Sequence, residues 1–200
     1  MLKPLGAALV VVALSACSSS SSSASPSPSP TPTIVSASAY AASVCTAITT
    51  YETNVTQQAS NFNANTTDLA VLKQNLLDVL NGIVQSTQTL ITDVNAAGIP
   101  DTPNGQQDVD TLNTQLLAFQ TSIQDLRDQV QNLSTTDPVA FTSAIRPILQ
   151  KFQTDVQDLG QTFQKPDDPQ LTVAFKQAPE CASLVASASA SAAASASPSS

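Results

Sequence analysis

The residues of this 200-residue chain that could take part in chemistry are three cysteines and a set of aspartates, because the sequence contains no histidine. The chain therefore lacks the commonest general base and the commonest nitrogen ligand for metals. Without histidine, no serine or cysteine nucleophile has its usual activating partner. We expect a protein that is not an enzyme and that uses no cofactor.

Pairs of aspartates are the remaining candidates for a cation site. They occur at Asp125/Asp128, Asp155/Asp158 and Asp167/Asp168. Carboxylates bind hard cations such as calcium, but the ligand spacing of an EF-hand loop is absent. The first two pairs flank core positions of helices, and the third precedes a proline, which is typical of a helix cap. We therefore predict no metal site.

The first cysteine, Cys17, follows a short leader. Lys3 supplies a positive charge, and "PLGAALVVVAL", residues 4–14, is too short to cross a bilayer as a helix, which favours a secretory signal over a transmembrane anchor. The sequence Leu14-Ser15-Ala16-Cys17 resembles the lipobox of bacterial lipoproteins. The resemblance implies that residues 1–16 are removed, that Cys17 is acylated on its sulfur, and that the protein is anchored to the outer face of the cell membrane.

A stretch that cannot pack into a core follows Cys17. Six serines are followed by prolines at alternate positions from Pro26 to Pro32. This composition favours an extended tether over residues 17–35, which at about 3.1 Å per residue spans roughly 50 Å. The Ala/Ser-rich ends together with the lipobox resemble the small secreted lipoproteins of actinobacteria. We expect the repetitive residues 185–200 to form a disordered tail.

Between residues 36 and 184, apolar residues recur at helical spacing, and no stretch has the period of two that strands need. We predict an all-α domain with four long helices in an antiparallel bundle. The first stripe ends at Phe62, Thr67-Asp68 predicts the start of the second helix, and Val156 belongs to the stripe of the fourth. The most regular stripe belongs to the third helix, from Val109 to Leu133. We expect the fourth helix, from Asp137-Pro138, to be kinked or broken near Pro147. Asp168-Pro169 predicts a short fifth helix.

The other two cysteines, Cys45 and Cys181, lie near opposite boundaries of this domain. In an exported protein such a pair favours a disulfide, which would fasten the C-terminal segment to the first helix. A free buried Cys45 is the alternative.

The loop "GIPDTPNG", residues 98–105, is the most unusual connection, and Ile99 and Asp101 are its candidate residues for contacting a partner. A stiff connector between helices is the simpler interpretation. The net charge of −8 disfavours nucleic acid as a partner. We expect a membrane-anchored interaction or scaffold domain whose partner is an unknown envelope protein. The alternative is a small-molecule or ion binder with a pocket inside the bundle.

Overall fold

The computed structural model describes residues 33–62, 67–164 and 166–182, and this part of the chain is predominantly helical. The predicted all-α class is therefore confirmed. Its elements, in chain order, are β1 Ile34–Val35, α1 Ala37–Ser60, α2 Leu69–Ala96, β2 Ile99–Pro100, α3 Gly105–Gln131, α4 Pro138–Gln164, α5 Pro169–Gln177 and a 3-10 turn, Pro179–Cys181. The leader, Cys17, most of the tether and the tail lie outside the described residues.

Side chains of the residues that precede four of the helices fix where these helices begin. The Ser36 hydroxyl accepts a hydrogen bond from the backbone N–H of Ala39 at the start of α1. Asp68, Asp137 and Asp168 cap α2, α4 and α5 in the same way. An N-cap satisfies N–H groups that have no partner within the helix, so it sets the boundary. The boundaries that the sequence predicts at these three aspartates are confirmed.

The apolar stripe of α3 is the centre of the core. Its first seven positions are buried, and they are Val109, Leu112, Leu116, Phe119, Ile123, Leu126 and Val130. The stripe of α4 is less complete, because Val156, which was expected in the core, is 45% exposed. Phe62, expected at the end of the first stripe, is also exposed. Both lie where the described part of the chain provides no helix to cover them.

Helices that are neighbours in sequence pack against each other: α1 against α2, α2 against α3, and α3 against α4. Hydrogen bonds between α2 and the α3 region join Lys73 to Leu133, Gln88 to Gln120 and Asn95 to Asn113. Residue numbers rise along one helix as they fall along the other, so α2 and α3 are antiparallel. None of the described helices is long and apolar enough to span a membrane.

The fourth helix continues through Pro147 as one α-helix. A proline in a helix interior removes one backbone hydrogen bond, but the flanking turns of α4 stay helical. The helix is therefore not broken at Pro147, and the expected kink stays a prediction.

The segment after α4 returns to the first helix. Helix α5 and the 3-10 turn both pack against α1. This packing brings the two domain cysteines to disulfide-bonding distance, with 5.1 Å between the Cα atoms of Cys45 and Cys181. Around them, Ala41, Ala174 and Ala178 form a small buried cluster. Small side chains let the backbones approach closely enough for this pairing.

We expect removal of the Cys45–Cys181 pair to cost the domain about 3–5 kcal/mol of unfolding free energy, because the two residues are 136 positions apart in sequence. Denaturant unfolding of a Cys45→Ser/Cys181→Ser chain measures the loss. Wild-type protein treated with reductant should match this variant. Peptide mapping that finds both thiols free in denatured, unreduced protein would contradict the bond.

Candidate functional site

The loop between α2 and α3, predicted as a candidate interaction site, is bonded to the start of the domain. Strands β1 and β2 pair in parallel, with Ile34 opposite Ile99 and Val35 opposite Pro100. The N–H of Ile99 donates to the carbonyl of Thr33 at 2.9 Å, and that of Asp101 donates to the carbonyl of Val35 at 2.7 Å. A two-residue pairing leaves no periodic signal in the sequence, which explains why none was expected.

This pairing decides what the loop presents to solvent. Ile99 is half-buried and Pro100 is buried, whereas Asp101 is exposed. Of the two candidate residues, only Asp101 is therefore fully accessible to a partner. The role of the loop in binding stays a prediction.

Two glycines permit the close approach of these segments. Gly98 has a φ of +86°, in the left-handed region that favours glycine, and a Cβ there would lie 2.5 Å from the carbonyl oxygen of Thr33. A Cβ at Gly105 would collide with the carbonyl oxygen of Pro100. Glycine is thus required at both ends of the loop, for backbone conformation at the first and for space at both.

We expect Gly98→Ala to lower the unfolding free energy by about 1–3 kcal/mol, since it strains φ and displaces Thr33. Gly160→Ala is the matched control, because a Cβ there meets nothing within 4 Å. In the interior of α4 this control should raise stability by about 0.5–1 kcal/mol. Thermal or urea unfolding compares the two, and a loss at Gly98 no larger than at Gly160 would contradict the pairing of β1 with β2.

Two buried carboxylates join the beginning of α3 to the beginning of α5. Asp108 is 7% exposed and Asp168 is 1% exposed. The two oxygens of Asp108 accept from the backbone N–H groups of Asp167, at 3.0 Å, and Asp168, at 3.3 Å. In return, Oδ2 of Asp168 accepts from the N–H of Asn104 at 3.1 Å, while Oδ1 caps α5. Each carboxylate thus satisfies backbone donors of the other segment.

The surroundings shift the pKa values of these two acids in opposite directions. Burial raises the pKa of Asp108, the N–H donors of residues 167 and 168 lower it, and the charges of Asp167 and Asp168 raise it again, so that the net shift is upward. Burial also raises the pKa of Asp168, but the N–H groups of Asn104, Gln170 and Leu171 outweigh it and hold the pKa below its ordinary value. Asp168 is therefore the better stabilised anion.

Asp168 was predicted as a helix cap, and the structure confirms that role. The sequence analysis missed Asp108. The signal was available, because Asp108 lies four residues before Leu112 and so extends the apolar stripe of α3 by one turn. A carboxylate on a core-facing position needs partners, and here the turn before α5 supplies them.

We expect Asp168→Ala to destabilise the protein more than Asp137→Ala, which is matched to it because both aspartates precede a proline and cap a helix. The Asp137 cap should be worth about 0.5–2 kcal/mol. Asp168→Ala also leaves the N–H of Asn104 without its acceptor. Urea unfolding of both variants at neutral pH makes the comparison, and equal losses would contradict the second role of Asp168.

The loss of unfolding free energy caused by Asp168→Ala should also depend on pH. Because the folded-state pKa of Asp168 is lowered, its stabilisation is complete above the unfolded pKa of about 3.9 and is lost as pH falls through the folded value. The difference between wild type and Asp168→Ala should therefore shrink at low pH. The raised pKa of Asp108 gives a pH dependence of stability with the opposite sign, but Asp108 is present in both proteins.

A cavity of about 70 Å³ lies beside this carboxylate pair. Its apolar walls are Leu112, Phe163, Leu171 and Phe175. Tyr40, Asp108 and Asp167 bring a phenol and two carboxylates to the same space. The Tyr40 ring is held edge-to-face against Phe175, with 6.3 Å between the ring centroids. The cavity therefore combines aromatic surface with negatively charged acceptors.

Within the described residues, no group of three or more acidic or cysteine side chains is placed to hold a metal ion. Asp125 and Asp128 are both exposed, and Asp128 pairs with the neighbouring Arg127 at 2.7 Å. Asp155 does more than flank the core, because it accepts a 2.6 Å hydrogen bond from Ser122 on α3 and pairs with Lys151. Asp155 therefore links α3 to α4.

The chain matches no protein-family model, no curated protein and no solved structure.

Proposed function

We propose that this protein is a lipid-anchored, non-enzymatic interaction domain displayed on the outer face of the cell membrane. In this proposal Cys17 carries the lipid, residues 17–35 form the tether, and residues 36–184 form the displayed domain. The lipobox-like sequence before Cys17 and the Ser/Pro-rich stretch after it support the anchor and the tether. The partner is another protein of the cell envelope.

We further propose that the four long helices form an antiparallel bundle. The α2–α3 hydrogen bonds support this arrangement, as do contacts between other neighbours. A Cβ at Gly82 of α2 would lie within 2.8 Å of the Gln58 side chain on α1, so these helices approach closely. The Ser122–Asp155 hydrogen bond links α3 to α4. Short connections between long helices favour antiparallel neighbours.

The observation that carries the interaction role is an exposed apolar flank on α4. Leu149 is 49% exposed and Val156 is 45% exposed, and they lie seven residues apart, on one side of the helix. Half-buried Ile145 and Phe152 continue the same stripe. Spacing of this kind fits the apolar face of a partner helix, which would cover both residues in one contact.

The test places a photo-crosslinking amino acid at position 149 or 156 in the living bacterium. We expect one adduct of constant mass from both positions, because a single partner helix covers the flank. Replacing Cys17 with Ala should move the protein from the membrane fraction into the medium and abolish the adduct.

Leu117 is the control position, since it is 52% exposed but lies on α3, away from this flank. The same adduct from position 117 would mean that the flank has no special role. An adduct of twice the mass of the chain would show that the partner is a second copy of this chain and not another envelope protein. Membrane retention of the Cys17→Ala protein would contradict the lipid anchor.

The cavity beside Asp108 favours a second candidate function, that of a small-molecule binder. Most of the interior between α2 and α3 is filled by apolar side chains, which suits a scaffold. At one end, however, polar and aromatic groups converge on an open space, as in ligand sites of helical proteins. Its lining residues do not include Pro147 or its neighbours, so it lies away from the middle of α4.

A further inference from the structure

The Tyr40 hydroxyl lies in a buried residue and has no hydrogen-bond partner of its own. Tyr40 is 1% exposed and lines the cavity between α1, α3 and α5. Across residues 33–62, 67–164 and 166–182, no side chain or backbone group forms a hydrogen bond with it. The fully buried side-chain atoms of these residues that lack a partner are Thr102 Oγ1 and Asn113 Oδ1, so the Tyr40 hydroxyl keeps contact with the space of the cavity. This hydroxyl is therefore available to form a hydrogen bond with an occupant of the cavity.

The charge of the cavity restricts what that partner is. Asp108 and Asp167 line it, and no basic side chain of the described residues does. The carboxylate of Asp108 accepts two backbone hydrogen bonds, which leaves lone pairs for a further donor. Burial, and then the charge of Asp108, raises the pKa of Tyr40 to about 12, so the phenol stays neutral. A hydrogen-bond donor with positive charge suits these acceptors.

The walls and the volume of the cavity further restrict which ligands it could bind. Tyr40, Phe163 and Phe175 bring aromatic rings to the cavity, and aromatic rings attract alkylated ammonium groups. The volume of about 70 Å³ exceeds the roughly 10–15 Å³ that one water molecule needs, so a small polar group has room there. A head group the size of methylammonium fits this space, whereas a larger molecule would have to extend past Asp167, which is exposed.

We propose that the cavity bounded by Tyr40, Asp108, Asp167, Phe163 and Phe175 binds an alkylammonium group. The inference rests on the second candidate function, that of a small-molecule binder. It is independent of the lipid anchor and of the α4 flank, so its failure leaves the displayed interaction domain standing. The group comes either from a free small amine or from the side chain of a lysine in a peptide, which share this chemistry.

The test uses the full chain in detergent with two background substitutions. Tyr51→Phe leaves Tyr40 as the only tyrosine, and since the chain has no tryptophan, absorbance at the tyrosine maximum then comes almost entirely from Tyr40. Lys165→Ala removes the chain's own ammonium group next to Pro166. Methylammonium chloride should perturb the Tyr40 spectrum with saturation and raise the melting temperature. Sodium chloride at equal concentration and methanol, a neutral molecule of the same size, should do neither.

Variants separate binding from folding. Tyr40→Phe removes only a hydroxyl without a protein partner, so the free protein should keep its stability while methylammonium binds roughly tenfold more weakly, read from the melting temperature. Asp167→Asn should also weaken binding. Asp158→Asn, an equal loss of charge at an exposed site on α4 outside the cavity, should not.

Two further comparisons show where the alkylammonium group comes from and which results would overturn the proposal. Tighter binding of a lysine-containing peptide than of methylammonium assigns the site to a peptide side chain, and the reverse assigns it to a free amine. Equal responses to methylammonium, sodium and methanol would overturn the proposal and leave water as the occupant of the cavity. Unchanged binding in Tyr40→Phe would overturn it as well.

Discussion

Burial of the apolar face of α3 is the constraint on which the other elements depend. Seven of its core positions, from Val109 to Val130, are buried without interruption, and α2 and α4 both pack against this helix. Burying side chains of this size stabilises a fold by about 1.5–3 kcal/mol each, so this one stripe outweighs any single polar contact in the domain. Because α3 touches both neighbours, its orientation sets theirs.

Polar contacts then connect the ends of the helices. Asp108 extends the stripe of α3 and binds the turn before α5, while Asp168 binds back to the residue before α3. Helix α5 reaches α1, where Cys45 and Cys181 come together. The loop before α3 is in turn bonded to Thr33 and Val35. Three separate links therefore hold segments that are distant in sequence at one end of the molecule.

The same end of the molecule contains the groups that could bind a ligand. The cavity lies where α1, α3, the end of α4 and α5 meet, and Asp108, one of its two carboxylates, also binds the turn before α5. Acceptors that are already fixed by backbone N–H groups do not have to be ordered when a ligand binds, which lowers the cost of binding. Structural and binding roles can thus be served by one set of residues, whereas the α4 flank is separate and wholly apolar.

The sequence alone determined the helical class, the caps at Asp68, Asp137 and Asp168, and the stripe of α3, because helix periodicity and capping are local properties. It also placed Cys45 and Cys181 as a plausible pair. Only the tertiary structure decided that Val156 is exposed, that α4 continues through Pro147, that β1 pairs with β2, and that Asp108, Asp167 and Tyr40 line one cavity. Burial and backbone pairing between distant segments depend on which helix covers which face, and no local spacing encodes that choice.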